Sequence, residues 1–359
     1  MNMNLLVGII AFLLFCLNNK CLNTEIFKDF NKGRNSLSLN SNHSRDILLS
    51  DSCKKCHTNT FNEWKDSFHH QSYTNKTFLQ ALQREPREWC INCHAPLWER
   101  DKIITFQGII LIEPENTLFL KEGINCATCH IRNNKILTAN KIKSSVDCIL
   151  PLEYNQELGS HKLCESCHQF NFTESNSHQI NFSSSPIQNT IEEFKNSYWF
   201  SKGYECQHCH FKDGNHNQNN PHSDKSLREN LGIQIKFFEK PDFLLKINLK
   251  FDKIGHNFPT GDLFRQIKIE VFSKTGKILV NHKIRKIFNI IEKKLIFDNT
   301  LKIDKSQKGI DHDLWFQLQS QPKICRVSYQ FQNILDSNHF YKTTQSFNEI
   351  ILYDGSCNK

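Results

Sequence analysis

Five copies of one pentapeptide, Cys-x-x-Cys-His, dominate the chemistry available to this 359-residue chain. They occupy residues 53–57, 90–94, 126–130, 164–168 and 206–210, and are numbered here as motifs 1 to 5. Composition alone predicts about 0.03 such motifs by chance. Two thiols at this spacing can form thioether bonds to the two vinyl groups of one haem, and the next residue, a histidine, then lies beneath the iron. The pattern therefore predicts five covalently attached haem c groups.

Zinc binding is the main alternative, because paired cysteines also hold zinc. A zinc ribbon needs two cysteine pairs for each metal and does not require any particular residue after the second cysteine. Here a histidine follows every pair, and the number of pairs is odd. The haem interpretation is therefore favoured.

This interpretation assigns a role to each motif residue. The predicted thioether cysteines are Cys53, Cys56, Cys90, Cys93, Cys126, Cys129, Cys164, Cys167, Cys206 and Cys209. The predicted proximal iron ligands are His57, His94, His130, His168 and His210.

The second axial position of each iron needs a separate argument. The chain has 17 histidines and only two methionines, Met1 and Met3, so the supply of side chains favours histidine. A second histidine makes the iron suited to electron transfer, whereas an open position lets it bind a substrate. The predicted distal ligands are His69, His161, His222 and His256, with His70 as the alternative to His69 and with His178 and His216 less favoured. His282, His312 and His339 are expected to be ordinary residues.

The elements that carry these residues repeat along the chain. Consecutive motifs begin 37, 36, 38 and 42 residues apart, which indicates one repeated unit. Apolar residues make up 38% of the chain, so we expect little regular structure in the first half and a core made of porphyrin. Between the motifs, the patterns predict helices over 60–82 and 191–200, a strand or hairpin over 103–112, a turn at 183–186 and a polar loop over 214–223.

The pattern changes at about residue 231. Short runs with alternating apolar and polar residues follow at 233–238, 243–251, 266–272, 277–281, 283–297, 314–318, 324–331 and 347–353. Residues 273–276 (SKTG) carry a hairpin-turn signal. This spacing predicts a β-sandwich. Cys325 and Cys357 could form a disulfide there in an oxidising compartment, whereas Cys148 has no obvious partner.

The N-terminus has features of an export signal. Residues 5–15 form an apolar run of signal length, although no Lys or Arg precedes it. We predict a signal peptide over 1–16, of lipoprotein type if Cys16 is lipidated, and a flexible linker over 17–50. The predicted location is the periplasm or cell envelope, with membrane association through Cys16 left open. The net charge of +8 does not indicate a nucleic-acid partner, because five haems would add ten propionate charges.

Several segments resemble the multihaem cytochromes of the cytochrome c-554 type. The matching segments are 63–69 (EWKDSFH) after motif 1, 90–97 (CINCHAPL), 122–130 (EGINCATCH), 161–170 (HKLCESCHQF), 190–197 (TIEEFKNS) and 255–261 (GHNFPTG). The likeness covers roughly residues 51–270. It implies an exported electron carrier with closely stacked haems that are mostly ligated by two histidines. It also implies that His69 is a distal ligand and that His161 and His256 are candidates.

Two departures from this family pattern affect the ligand assignment. Phe194 stands where the family usually has Trp, and no histidine follows Ser197 as His69 follows Ser67. The partner of at least one haem therefore stays open.

The predicted fold class is α+β multidomain: a mainly helical and loop multihaem cytochrome c domain over 51–228, then an all-β, sandwich-like domain over 229–359. Five cofactors within about 160 residues must lie nearly edge to edge, which favours electron transfer between redox partner proteins. The alternative is a haem enzyme with one open iron that acts on hydroxylamine or on small nitrogen or sulfur oxyanions. Against it, the chain lacks a CxxCK motif, which marks the five-haem nitrite reductases, and five haems are too few for the hydroxylamine oxidoreductase pattern.

Overall fold

The structure is a computed structural model of the chain. It describes residues 45–84, 88–97, 103–106, 109–112, 118–141, 150–176, 179–217, 224–239, 242–261, 264–289, 292, 294–331 and 348–358. The predicted signal peptide with Cys16, most of the predicted linker, Cys148, His178, His222 and His339 lie outside these residues.

Short helices carry the five motifs. The helices are α1 Ser50–Lys54, α2 Thr58–Lys65, α3 Lys76–Arg84, α4 Glu88–His94, α5 Leu118–Glu122, α6 Cys126–His130, α7 His161–His168, α8 Thr190–Lys195, α9 Tyr198–Ser201, α10 Cys206–His210 and α11 Asp224–Asn230. Motifs 2 to 5 end at the last residue of α4, α6, α7 and α10, and motif 1 begins in α1. A helical turn places residues i, i+3 and i+4 on one side, so both thiols and the imidazole of a motif share a face.

Side-chain caps begin two of the helices that carry a motif, α6 and α7. Asn125 caps α6 reciprocally: its Oδ1 accepts from the Thr128 amide at 3.0 Å, and the Thr128 hydroxyl accepts from the Asn125 amide at 3.3 Å. The Ser160 hydroxyl accepts from the Lys162 amide at the start of α7. These caps satisfy backbone donors that such short helices leave without an intrahelical partner.

The prediction of one helix over 60–82 was wrong in its middle. Residues 66–75 form turns between α2 and α3. The Ser67 hydroxyl accepts from the His70 amide, and the Ser72 hydroxyl donates to the His69 carbonyl. Serine side chains that bond to the nearby backbone compete with helix formation, which explains the break.

The predicted helix over 191–200 is interrupted in the same way. Ser197 is extended, with φ −96° and ψ 157°, and its hydroxyl accepts from the Phe200 amide. This extended residue therefore interrupts the predicted helix between α8 and α9, and its side chain caps α9.

Small sheets connect the motif helices. The strands are β1 Ile103–Phe106, β2 Ile109–Ile112, β3 Ile131–Arg132, β4 Lys135–Thr138, β5 Leu152–Tyr154, β6 Gln169–Asn176 and β7 Gln179–Asn189. The β1–β2 pair is antiparallel, as predicted for 103–112. The predicted turn at 183–186 was wrong, because these residues lie within β7. The β6–β7 register shifts there, and Pro186 pairs with Asn171 at the irregularity, where a strand tolerates proline.

Seven of the nine described C-terminal strands form two facing sheets, and the other two pair separately. The nine strands are β8 Leu231–Phe238, β9 Leu244–Phe251, β10 Arg265–Ser273, β11 Ile278–Ile284, β12 Lys286–Asn289, β13 Lys294–Asp298, β14 Ile310–Gln317, β15 Pro322–Phe331 and β16 Asn348–Ser356. One sheet has the order β11-β10-β15-β16 and the other β14-β9-β8, all antiparallel. The Ser273 and Gly276 turn joins β10 to β11, as predicted. The α+β class with a later sandwich-like domain is confirmed.

Alternate side chains of these strands fill the sandwich. In β9, Leu245, Ile247 and Leu249 are fully buried, and Ile267 and Ile269 in β10 face them from the other sheet. The strand period of two explains this alternation. Cys325 and Cys357 form a disulfide with a Cα–Cα distance of 5.0 Å, which confirms that pairing.

A separate hairpin, β12–β13, packs against β6–β7 of the motif region, which is residues 45–217 and contains the five motifs. The Phe172 and Phe288 rings are 5.1 Å apart, and the Leu295 amide donates to the Ser185 hydroxyl. The C-terminal β-region and the strands between motifs 4 and 5 are thus in direct contact. None of the described helices is both long and apolar enough to cross a membrane.

Candidate haem-binding site

All ten motif cysteines are thiols outside any disulfide. Cys56 and Cys209 are exposed, and the other eight are half-buried. Thioether formation requires accessible thiols on one face of each motif, and the motif helices provide that arrangement.

Cysteines of different motifs approach one another in two places. Cys53 of motif 1 donates a hydrogen bond to Cys126 of motif 3; this bond, ahead of burial, raises the pKa of Cys53 and lowers that of Cys126 to about 7. Cys164 of motif 4 and Cys206 of motif 5 form an equivalent pair, in which the hydrogen bond raises the pKa of Cys164 and lowers that of Cys206. Motif 1 therefore lies beside motif 3, and motif 4 beside motif 5.

Motif 4 also has two other neighbours. Burial, with a smaller contribution from the nearby Cys167 thiol of motif 4, raises the pKa of Cys129 in motif 3 to about 11. The Cys93 thiol of motif 2 lies 4.0 Å from the Ser166 carbonyl oxygen of motif 4. Motif 4 is thus the point where motifs 2, 3 and 5 meet.

A half-buried carboxylate joins the first and third motif helices. Glu122 accepts from the Ser50 amide at 3.1 Å and from the Asn125 side-chain amide at 2.6 Å. Burial raises the pKa of Glu122, although both of these hydrogen bonds oppose the shift. The contact holds the starts of α1 and α6 together.

Backbone carbonyls orient two of the motif histidines, His94 and His130. The Nδ1 atom of His94 lies 2.7 Å from the Ser72 carbonyl oxygen, and that of His130 lies 3.1 Å from the Leu137 carbonyl oxygen. A carbonyl partner requires the proton on Nδ1, so the Nε2 lone pair is available to a metal. The His94 ring also stacks on Phe78, with centroids 3.7 Å apart.

Three motif histidines each face a second histidine. The ring centroids are 6.5 Å apart for His69 and His168, 6.2 Å for His130 and His216, and 6.3 Å for His210 and His256. Two imidazole nitrogens that bind one metal ion from opposite sides, each at about 2 Å, lie about 4 Å apart, and adding the nitrogen-to-centroid distance on each side gives about 6.3 Å. The three separations therefore fit one iron between each pair.

His69 and its neighbour His70 point in different directions. Burial, followed by repulsion from His168, His210 and His216, lowers the pKa of His69 to about 3, so its imidazole is neutral and able to bind a metal. The His70 ring packs on Trp64 at 4.4 Å instead. Of the two alternatives, the structure brings His69 to a motif histidine.

The structure brings His216 into the site although its sequence position favoured it less. The His216 amide donates to Glu63 Oε2 at 2.9 Å, and its Nδ1 lies 2.8 Å from the Gly214 carbonyl oxygen. These contacts hold the ring opposite His130. A short polar loop gives no periodicity from which this could be recognised, and the only sequence signal was its position after motif 5.

His161 has a different environment from the paired histidines. Its Nδ1 lies 2.8 Å from Glu205 Oε2, and its ring contacts Phe194 and Phe200. The carboxylate orients the ring and leaves the other nitrogen, Nε2, available to a metal.

In the part of the chain that the structure describes, no three His, Cys, Asp or Glu side chains converge as ligands of one metal ion.

Comparison with known proteins gives one family and one solved structure. Residues 52–131 match the family model described as cytochrome c554 and c-prime. The penta-heme cytochrome c552 from Thermochromatium tepidum is similar in fold, with a TM-score of 0.62 and 16% identity over 85% of this chain and 97% of that chain. No curated protein matches. The chain therefore resembles the cytochrome c554 and c-prime family over the segment that holds motifs 1 to 3, and it has the fold of a penta-heme cytochrome c over most of its length.

Proposed function

We propose that this protein carries electrons along five closely packed haem c groups between redox partner proteins. The observation that carries the proposal is the set of three histidine pairs, each spaced for one iron. Haem c, when bound, takes up and releases one electron at its iron, and two histidine ligands leave the iron no open position for a substrate.

Residues of this chain would hold five such groups in two ways, by covalent attachment and by ligation of the iron. In each motif, both cysteines would hold the macrocycle through thioether bonds, and the motif histidine would be one ligand of the iron. The second ligand would be His69 for motif 4, His216 for motif 3 and His256 for motif 5. His161 and His222 are proposed for the haems of motifs 1 and 2.

The contacts between motifs support an order for the carriers. Motif 1 adjoins motif 3, motif 3 adjoins motif 4, and motif 4 adjoins motif 5 through their cysteines. Motif 2 adjoins motif 4 through Cys93 and Ser166. We propose a path 1-3-4-5 with motif 2 as a branch at motif 4.

An exported location is part of the proposal. The Cys325–Cys357 disulfide supports an oxidising compartment, because such bonds persist mainly outside the reducing cytosol. Periplasm or cell envelope fits this chemistry and the predicted signal peptide. Lipidation of Cys16 stays an open part of that prediction.

The test combines mass and spin state on purified, matured protein. We expect an intact mass that includes five haems and an electron paramagnetic resonance spectrum dominated by low-spin iron. His69→Ala should convert one haem to high spin, because it removes one axial nitrogen. The matched control is His70→Ala, which removes the neighbouring ring and should leave the spin state unchanged.

Two results would contradict the proposal. A mass with fewer haems would remove the five-carrier path. A strong high-spin signal in the unmutated protein that responds to nitrite or hydroxylamine would favour the enzyme alternative.

A further inference from the structure

A buried ion pair connects the motif region to the β-domain. Lys286 Nζ in β12 donates to Glu193 Oε1 in α8 at 2.9 Å, and the side chains are only 7% and 3% exposed. Burying two charges costs desolvation energy that their attraction offsets only partly, so such a pair adds little net stability over apolar side chains. The pair is more informative for its geometry, because it fixes the position of β12 relative to α8.

The second oxygen of Glu193 binds the loop that carries His256. Thr260 Oγ1 donates to Glu193 Oε2 at 2.5 Å, and the Thr190 hydroxyl lies 2.9 Å from that of Thr260. Thr260 is four residues beyond His256. The carboxylate of Glu193 is therefore shared between β12 and this loop.

The remainder of the loop is attached to the β-domain. The Ile303 amide donates to Asn257 Oδ1 at 2.9 Å, and Phe258 and Leu301 exchange backbone hydrogen bonds at 2.9 and 2.8 Å. The buried Phe258 ring packs on Phe251 and Tyr329. The loop that carries His256 is thus held to the β-domain by its backbone and by the side chains of Asn257 and Phe258.

His210, the histidine that faces His256, lies in the motif region. His210 ends α10, which follows α8 and α9 along the chain, and its ring is nearly parallel to that of His256, at 13°. Gly255 lies against the same segment, since a Cβ there would be 3.1 Å from Phe194 Cδ2. Glu193 is therefore on the His210 side, whereas Lys286 and Thr260 are on the His256 side.

We propose that Glu193, Lys286 and Thr260 form a positioning clamp that holds His256 opposite His210, so that the β-domain supplies one of the two histidine ligands of the fifth haem. This inference rests on the proposed axial pair. The three clamp residues do not touch the iron; they act through the position of His256. Because it positions His256, the β-domain takes part in the proposed path of electron transfer.

The test uses the full-length, matured protein and two variants that weaken the clamp differently. Thr260→Val removes the hydroxyl and its hydrogen bonds to Glu193 and Thr190 at nearly constant volume, and Lys286→Met removes the cation. Loss of an outer partner that orients a metal ligand typically lowers metal affinity or activity roughly tenfold to a hundredfold. We therefore expect one haem to become partly high spin and to bind added cyanide at least roughly tenfold more tightly, as in His256→Ala.

A matched control and a rescue variant separate positioning from simple loss of stability. Lys268→Met breaks another β-domain ion pair, with Glu270 at 2.7 Å, and should keep the parent spectrum and cyanide affinity. If Lys286→Met does not accumulate, the double variant Glu193→Leu with Lys286→Met removes the clamp without leaving a buried charge, and the same spectral change is expected.

The outcomes distinguish this inference from the proposed function. If His256→Ala changes the spectrum but Thr260→Val and the double variant do not, the clamp is overturned and the axial pair stands. If His256→Ala itself leaves every haem low spin and closed to cyanide, the axial pair fails and the clamp fails with it.

Discussion

The β-sandwich buries one continuous apolar cluster, which includes Ile247, Ile269, Val327 and Tyr329. The motif region, residues 45–217, buries two small clusters in its described part, around Ile91 and around Phe119. Both regions contain regular elements, but the motif helices have nine residues or fewer and are too short to be stable alone. The comparison indicates that one region is stabilised by its own side chains, whereas the other needs the apolar area of its haems.

The largest expected effect comes from withholding haem. In protein produced without haem attachment, we expect the motif region to lose its protection against amide hydrogen exchange while β8–β10 and β15 keep theirs. Exchange measured by mass spectrometry on haem-free and matured protein checks this. Equal protection of the motif region in both forms would contradict the comparison, because side chains alone would then suffice.

The next effect concerns the disulfide of the sandwich. Replacing Cys325 and Cys357 by serine opens a loop that spans 32 residues, which should lower the free energy of unfolding of the sandwich by about 3–4 kcal/mol. Denaturant titration of the matured protein measures the change. The haem spectrum should stay that of the parent at low denaturant, and an altered spin state there would show that the two regions are not stabilised separately.

A smaller effect is expected from a glycine that supports His69. Gly123 has φ +58°, and a Cβ there would lie 2.5 Å from the His70 carbonyl oxygen and 2.7 Å from that of His69. Gly123→Ala should therefore cost more than the roughly 1–2 kcal/mol of the backbone conformation alone and should disturb one haem.

Gly203→Ala is the matched control for that substitution. Gly203 has φ +77°, and among the described residues no neighbouring atom would lie within 4 Å of a Cβ added there, so only the cost of the backbone conformation applies. Thermal unfolding and the spin state are measured for both variants. An unchanged haem spectrum in Gly123→Ala would mean that the turn at 66–75 does not position His69.

The smallest effect is expected on the outer face of the sandwich. Arg326 and Asp354 form an ion pair at 2.8 Å across β15 and β16, with both side chains more than a third exposed. Asp354→Asn should change the free energy of unfolding by about 0.2–1 kcal/mol, and less at high salt. Denaturant titrations at two ionic strengths check this; a loss as large as that of the disulfide would mean that the surface pair contributes to the core.

Sequence patterns predicted the sandwich better than the motif region. Alternation located β8, β9 and β10 to within two residues because burial on one face imposes a period of two. The segments at 60–82 and 183–186 were less predictable. Ser67 and Ser72 broke an apparent helix through local hydrogen bonds, and Pro186 was accommodated at an irregularity within β7.

The sequence by itself determined where haem can be attached, because thioether formation and proximal ligation need only residues within one helical turn. It also determined that a β-rich region follows. Only the tertiary structure decided that His216 faces His130, that His69 and not His70 faces His168, and that His256 reaches His210 from the β-domain. The reason is physical: the two imidazoles of a pair come from segments far apart in the chain, and only packing of the helices, loops and sheets brings them within reach of one iron.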